Sequence, residues 1–187
     1  MTTAQFPDEQ IDGAFARQED AFTNWVTADG SSGYPAVAGR YHLYVSLACP
    51  WAHRTIIVRS LKKLEDAIGM TVVDPIRDDR GWAFQDHFLS EAYMESDPGY
   101  LGRVTVPVLW DEHAKRIVSN NDDHIMRMLE IEFDAVAGRH DLDFYPEQHR
   151  SEIDALNAEI YESVNNGVYR AGFATEQAAY ASAAEAV

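Results

Sequence analysis

Tyr41-His42-Leu43-Tyr44-Val45 runs directly into Ser46-Leu47-Ala48-Cys49-Pro50, and Ala52 to Leu64 follows with apolar residues at Ile56, Ile57, Leu61 and Leu64. Aromatic and β-branched content predicts a strand for the first five residues. The next five form a turn, and the apolar spacing beyond them predicts a helix. Pro50 has the fixed φ suited to a first helical turn. A cysteine at such a junction meets free backbone N–H groups and the partial positive charge of a helix N-terminus, both of which favour the thiolate. His53 and Arg54 follow closely and add positive potential. Cys49 is therefore either a small packed thiol or the nucleophile of thiol–disulfide chemistry, and its place between strand and helix favours the second. Ala52 stands where a resolving cysteine would be, so an external thiol must release any mixed disulfide.

Outward from this junction, Gly69 is expected to close the helix and Met70 to Ile76 to form a second strand. Arg77 to Gly102 is a long excursion with helical turns. Val104 to Trp110 is a third strand interrupted by Pro107, a turn at Asp111-Glu112-His113 leads to Ile117-Val118, and a helix follows, capped by a residue between Asn120 and Asp122. The order β-α-β-(insert)-β-β-α is that of a thioredoxin-like α/β domain over 39–136, with Val106-Pro107 where such domains hold a cis proline. A backbone turned outward there can pair with a peptide-like thiol as an added strand. Residues 1–38 are expected to form an irregular arm anchored by Phe6, Phe15, Phe22 and Trp25, and 137–150 a linker. In 151–187, Ser151-x-x-Asp154 signals a cap, Asn165-Asn166-Gly167 an end, and the six alanines between Ala178 and Ala186 a further helix.

The 187 residues include 31 Asp and Glu against 15 Lys and Arg, a net charge of −16 that repels nucleic acid and anionic membrane. With 46% hydrophobic residues the chain has the profile of a soluble globular protein. One cysteine excludes an internal disulfide framework, and the apolar runs fall short of the ~18 residues of a membrane span. The opening residues lack a basic region and an apolar core, so a cytoplasmic, thiol-reducing setting is expected. Asp122-Asp123-His124 and His140-Asp141-x-Asp143 contain metal-ligand residue types without a recognised spacing, and no metal is expected.

Ser46 to Arg54, Gly81-Trp82, Gly102 to Asp111, Ile117 to Asn120 and Val164 to Ala174 resemble the Xi-class glutathione transferases, the glutathionyl-hydroquinone reductases. The resemblance covers Tyr34 to the end, with Cys49-Pro50-Trp51-Ala52 and Asn165-Asn166-Gly167-Val168-Tyr169 its most specific runs. It implies a thioredoxin-like domain followed by an all-α domain, a homodimer when full length, and reductive removal of glutathione from glutathionyl-hydroquinones. It further implies Cys49 as nucleophile and Tyr169 as phenol donor. Trp82, Arg103, Val104, Thr105 and Val106 match positions that hold the thiol cosubstrate.

Two departures stand out. Members of the family carry Glu-Ser after Val-Ser-Asn, binding the amine and carboxylate of the γ-glutamyl group, whereas Asn121 and Asp122 occupy those positions here. The substitution favours a thiol without that carboxylate, such as mycothiol, or weak binding of glutathione. The helical domain of the family is also longer than 151–187, so the chain is expected to be C-terminally truncated. A general deglutathionylase or dehydroascorbate reductase, and a non-catalytic thiol-binding or interaction domain, are the alternatives.

Overall fold

The computed structural model describes residues 6–78 and 81–187, which divide into two compact units. One comprises residues 20–144; the other joins the chain up to residue 19 to residues 145–187. The segment expected to be a single arm over 1–38 is thus shared between the two, and its first five residues lie outside the described ones.

In the larger unit, β3 (Tyr41–Val45) pairs in parallel with β4 (Ile68–Val72) and antiparallel with β7 (Val108–Asp111), which pairs with β8 (Arg116–Ser119). The sheet order is β4-β3-β7-β8, a mixed sheet of the thioredoxin type. Alternation along β3 places Tyr41, Leu43 and Val45 in the core while His42 and Tyr44 are half-buried on the other face. Helix α1 (Pro50–Leu61) packs Ala52, Thr55 and Val58 inward. Its Arg59 guanidinium donates to the Ile68 carbonyl at 2.9 and 2.7 Å, which ties α1 to β4.

Three local expectations are corrected. Ile57 and Leu61 are 44% and 47% exposed, because the buried side of α1 is formed by Trp51, Ala52, Thr55, Val58 and Arg59. Gly69 lies inside β4 opposite His42, where a Cβ would come within 2.5 Å of the imidazole Nδ1. The chain turns earlier, at Lys63 with φ 52°, so the strand covers 68–72 instead of 70–76. The excursion after residue 77 contains a short hairpin, β5 (Ala83–Phe84) with β6 (His87–Phe88), and α2 (Leu89–Ser96). Val104 to Pro107 precedes β7 as an irregular turn, with the Val106–Pro107 bond cis. Helix α3 (Asp122–Arg127) follows β8 and continues as a π turn over 128–132.

In the smaller unit, the hairpin β1 (Gln10–Ile11) and β2 (Ala14–Phe15) packs on helix. Phe6 and Phe15 meet Phe173 at 5.0 and 5.3 Å between ring centroids, and Gln10 Nε2 donates to the Phe173 carbonyl at 3.2 Å. Helix α4 (Arg150–Ile160) starts one residue before Ser151, and Asp154 accepts from the Tyr145 hydroxyl instead of completing a cap. Asn165-Asn166-Gly167 does not end the helix. A π turn over 161–165 carries it into α5 (Asn166–Phe173), and the Arg170 guanidinium donates to the Glu162 carbonyl within that stretch. Helix α6 (Gln177–Ala186) is the Ala-rich tail. No helix among the described residues is long and apolar enough to cross a membrane.

Candidate functional site

The turn before α1 is built by Ser46, whose carbonyl accepts from the Cys49 amide at 3.1 Å and whose hydroxyl accepts from the Ala48 amide at 3.3 Å. Cys49 then caps α1 from an extended conformation, φ −101° and ψ 112°. Its Sγ accepts the Ala52 N–H at 3.5 Å and donates to the Val106 carbonyl at 3.6 Å. The sulfur is thus held between a helix N-terminus and the residue before the cis proline. The N–H stabilises a thiolate, while the carbonyl is a partner for the protonated thiol only.

Thr105 is 8% exposed and fastened from behind. Tyr93 donates its hydroxyl to the Thr105 carbonyl at 3.0 Å and accepts the Thr105 N–H at 3.2 Å. Burial pushes the Tyr93 hydroxyl far above the ordinary phenol range, so it stays a neutral donor. Asn120 Nδ2 donates to Thr105 Oγ1 at 3.1 Å, and its Oδ1 accepts the Phe22 amide at 3.0 Å. These two residues set the loop that faces Cys49; Tyr93 carries no role in the sequence reading, and Asn120 enters it only as a candidate cap and as the end of the run Ile117 to Asn120. Tyr93 offers no signal there beyond a helical aromatic, since its partner lies twelve residues on.

Asn121 and Asp122 stand at the start of α3, and both side chains are engaged. Asn121 Oδ1 accepts the His124 amide at 2.8 Å as the helix cap, and its Nδ2 donates to Asp20 at 2.8 Å. The Asp122 carboxylate accepts from Arg54 Nε at 3.0 Å and also from Nη2. Arg54, expected to lend its charge to Cys49, therefore pairs with Asp122. Burial pushes the Asp122 carboxyl above the ordinary range against the opposing pull of Arg54, with Asp123 and Asp20 adding to the rise.

Val104 and Trp82 are half-buried against the core, Trp82 accepting the Leu89 amide on its carbonyl at 2.8 Å. Arg103 is half-buried and accepts the Tyr100 hydroxyl on its carbonyl at 2.8 Å. The larger unit thus gathers Cys49, Thr105, Val106, Asn121 and Asp122 around one end of the sheet.

Tyr169 belongs to the smaller unit, on α5. Its ring stacks on Phe15 at 6.4 Å, meets Phe173 at 5.8 Å and lies 5.6 Å from the Arg17 guanidinium carbon. Among the described residues no group of three or more His, Cys, Asp or Glu side chains is arranged to hold a metal ion.

The profile of the glutathione S-transferase N-terminal domain matches residues 48–131. Over 187 residues the chain is 49% identical to the glutathionyl-hydroquinone reductase YqjG of Escherichia coli, covering 90% of this chain and 57% of that protein. The crystal structure of the Xi glutathione-S-transferase from Phanerochaete chrysosporium superposes with a TM-score of 0.88 at 43% identity, over 94% of this chain and 60% of that one. The glutathione-bound structure of YqjG gives 0.84 at 48% identity, over 95% and 62%. The chain therefore spans about three fifths of these relatives. With a cysteine-capped helix facing a cis proline, and with likeness of this extent, the chain is similar in sequence and fold to the Xi-class glutathione transferases over most of its own length.

Proposed function

We propose that this chain carries the thiol chemistry of a glutathionyl-hydroquinone reductase, with Cys49 as its nucleophile. The Cys49 thiolate attacks the sulfur of the thioether; the sulfur–carbon bond breaks, and the ring carbon takes the electron pair and a proton. A second thiol attacks the resulting mixed disulfide and leaves as a disulfide with the first, restoring the thiolate. The observation that carries this proposal is the position of Cys49 Sγ, capping α1 at 3.5 Å from the Ala52 amide. The name of the E. coli relative supports the substrate class.

Tyr169 is the proposed proton donor to the leaving carbon, in keeping with its match to the tyrosine of the family. Trp82, Arg103, Val104, Thr105 and Val106 are proposed to line the cosubstrate, with Val106 supplying backbone contacts beside Cys49 and Thr105 fixing its loop. Glutathione is the first candidate thiol, since YqjG is known in a glutathione-bound form. The engagement of Asn121 and Asp122 within the protein supports a thiol lacking the γ-glutamyl carboxylate, such as mycothiol. A homodimer and a cytoplasmic, thiol-reducing setting belong to the same proposal, supported by the likeness to the family.

Incubation with a glutathionyl-hydroquinone and excess thiol, followed by chromatography, tests the proposal. Free hydroquinone and a disulfide are expected from the parent, and neither from Cys49→Ser. Tyr169→Phe is expected to slow hydroquinone release by about 10²-fold while the mixed disulfide still forms with small disulfides. Hydroquinone formation by Cys49→Ser at the parental rate overturns the assignment.

A further inference from the structure

Residues 104–107 run between α2 and β7 outside any strand, yet Thr105 and Val106 are buried, so their backbone groups need partners from within the protein. One side chain meets both groups of Thr105. Tyr93, wholly buried on α2, donates its hydroxyl to the Thr105 carbonyl at 3.0 Å and accepts the Thr105 N–H at 3.2 Å. Its ring meets that of Phe22 edge-on at 5.5 Å and lies 4.9 Å from that of Tyr100, whose own hydroxyl donates to the Arg103 carbonyl at 2.8 Å. Two phenols thus hold this loop as a neighbouring strand would hold a strand. Val106 comes directly after Thr105, and its carbonyl faces Cys49 Sγ at 3.6 Å.

We propose, resting on the function above for Cys49 as nucleophile, that Tyr93 is a positioning residue for that chemistry: its hydroxyl, acting through the Thr105 backbone, fixes the Val106 carbonyl against the Cys49 sulfur. A carbonyl oxygen carries partial negative charge and accepts from a thiol, so it favours the thiol over the thiolate, against the Ala52 N–H on the sulfur's other side. These two contacts oppose each other in setting how much of Cys49 is thiolate. The Ala52 N–H belongs to α1, and only the carbonyl contact depends on Tyr93. Phenylalanine at position 93 keeps the ring beside Phe22 and Tyr100 but strips both backbone groups of Thr105 of their partner, a cost the loop relieves by moving toward solvent. The Val106 carbonyl then leaves the sulfur, and the thiolate gains. Burial keeps the Tyr93 hydroxyl neutral, so the substitution alters no charge. The ionisable side chains next to this junction on α1, α3 and the loop are His53 and Arg54, Asp122, Asp123 and His124, and Arg103, and all of them remain.

Cys49 is the only cysteine of the chain, so its alkylation by iodoacetamide over a series of pH values reads its ionisation directly. In Tyr93→Phe the midpoint of the alkylation rate should fall by at least about half a pH unit, which is about threefold in the ratio of thiolate to thiol. Tyr100→Phe, which loses a hydroxyl from the same aromatic cluster but one that holds Arg103 instead of Thr105, should shift the midpoint less. In the parent, hydrogen exchange should find the Thr105 amide protected like the amides of β7. An unchanged or higher midpoint in Tyr93→Phe, a fall as large in Tyr100→Phe, or a Thr105 amide that exchanges like an exposed loop overturns the positioning role, the last without need of a folded variant. A fall as expected, in a chain that releases no hydroquinone from its thiol adduct, sinks the proposed reaction alone. Release of hydroquinone by the parent, with Tyr93→Phe keeping the parental midpoint, sinks the positioning role alone.

Discussion

Arg54 and Asp122, 68 residues apart in sequence, close an ion pair that joins the second turn of α1 to the first residue of α3. The carboxylate is 8% exposed and the guanidinium 33%. Cys49 begins the same helix, and Asn120, two residues before Asp122, holds Thr105 beside Val106. Cys49, the cis-proline loop and the ion pair are consequently one connected structure. On the function proposed above, Asp122 supplies from within the protein the carboxylate that Arg54 would otherwise meet on a cosubstrate.

Asp122→Ser removes that internal carboxylate and leaves Arg54 available. A thiol with a carboxylate then gains a charge-assisted partner, and glutathione should bind at least about tenfold tighter than to the parent. Thiols without a carboxylate should bind both proteins alike. Calorimetric titration with both kinds checks this; equal glutathione affinity in the parent and the variant contradicts a role for the pair in thiol choice.

Asp122 also has a signature in stability. Its folded carboxyl titrates above the ordinary range because burial outweighs the attraction of Arg54. The folded state therefore binds the extra proton first, and the contribution is fully present below the ordinary carboxylate value of about 3.9 and is lost as pH rises through the raised one. Asp122→Asn stays neutral throughout. The difference in Tm between Asp122→Asn and the parent should grow in favour of the variant as pH rises through that window, then level off. A difference that stays flat with pH would contradict the raised titration.

Much of the larger unit was legible in the sequence for identifiable reasons. The aromatic and β-branched content of Tyr41 to Val45 and the Cys49-Pro50 junction are local signals, and they place Cys49, the strand and the helix start without tertiary information. The inward face of α1 was not legible. Ile57 and Leu61 outrank Ala52 and Thr55 in hydrophobicity, and the inward face is fixed instead by long-range contacts such as that of Arg59 with the Ile68 carbonyl. Gly69 carries a helix-stop signal by type, but its reason is the imidazole of His42 on the neighbouring strand. Asn165-Asn166-Gly167 contains residues that commonly end helices, and the π turn with its Arg170 contact carries the helix through them. The Arg54–Asp122 pair is a long-range contact between two residues that local patterning treats as solvated charges.

Arg40 and Asp111 form a second ion pair, at the end of β7. Arg40 Nε reaches both carboxylate oxygens at 3.1 and 3.0 Å and Nη2 reaches one at 2.6 Å, while the His113 and Ala114 amides donate at 2.9 and 3.0 Å. Burial alone would raise the Asp111 carboxyl, but these donors outweigh it and hold it below the ordinary range. Its stabilising contribution is present above the unfolded value of about 3.9 and is lost as pH falls through the lower folded one. Asp111→Asn should cost about 3 kcal/mol near neutral pH, read as a lower urea midpoint at unchanged slope. The deficit should shrink on acidification below about pH 3.9. An unchanged midpoint would show that the amide keeps enough of the donors.

The hairpin of the smaller unit turns at Asp12 and Gly13, with φ 49° and 77°, and the Gly13 carbonyl accepts the Thr175 amide at 2.9 Å. A Cβ on Gly13 would lie 2.7 Å from the Glu176 Cβ and 2.3 Å from its Cγ, so alanine there meets both an unfavourable φ and a side chain. Gly33 separates the two costs: its φ is 86°, and nothing lies within 4 Å of the equivalent Cβ. Gly33→Ala carries the conformational cost of about 1 kcal/mol alone. Gly13→Ala should destabilise its own unit by more than that and release the Thr175 amide to faster hydrogen exchange, with little effect on amides of β3 and β7. If Thr175 stays as protected in Gly13→Ala as in the parent, the hairpin is not held to the start of α6 by this contact.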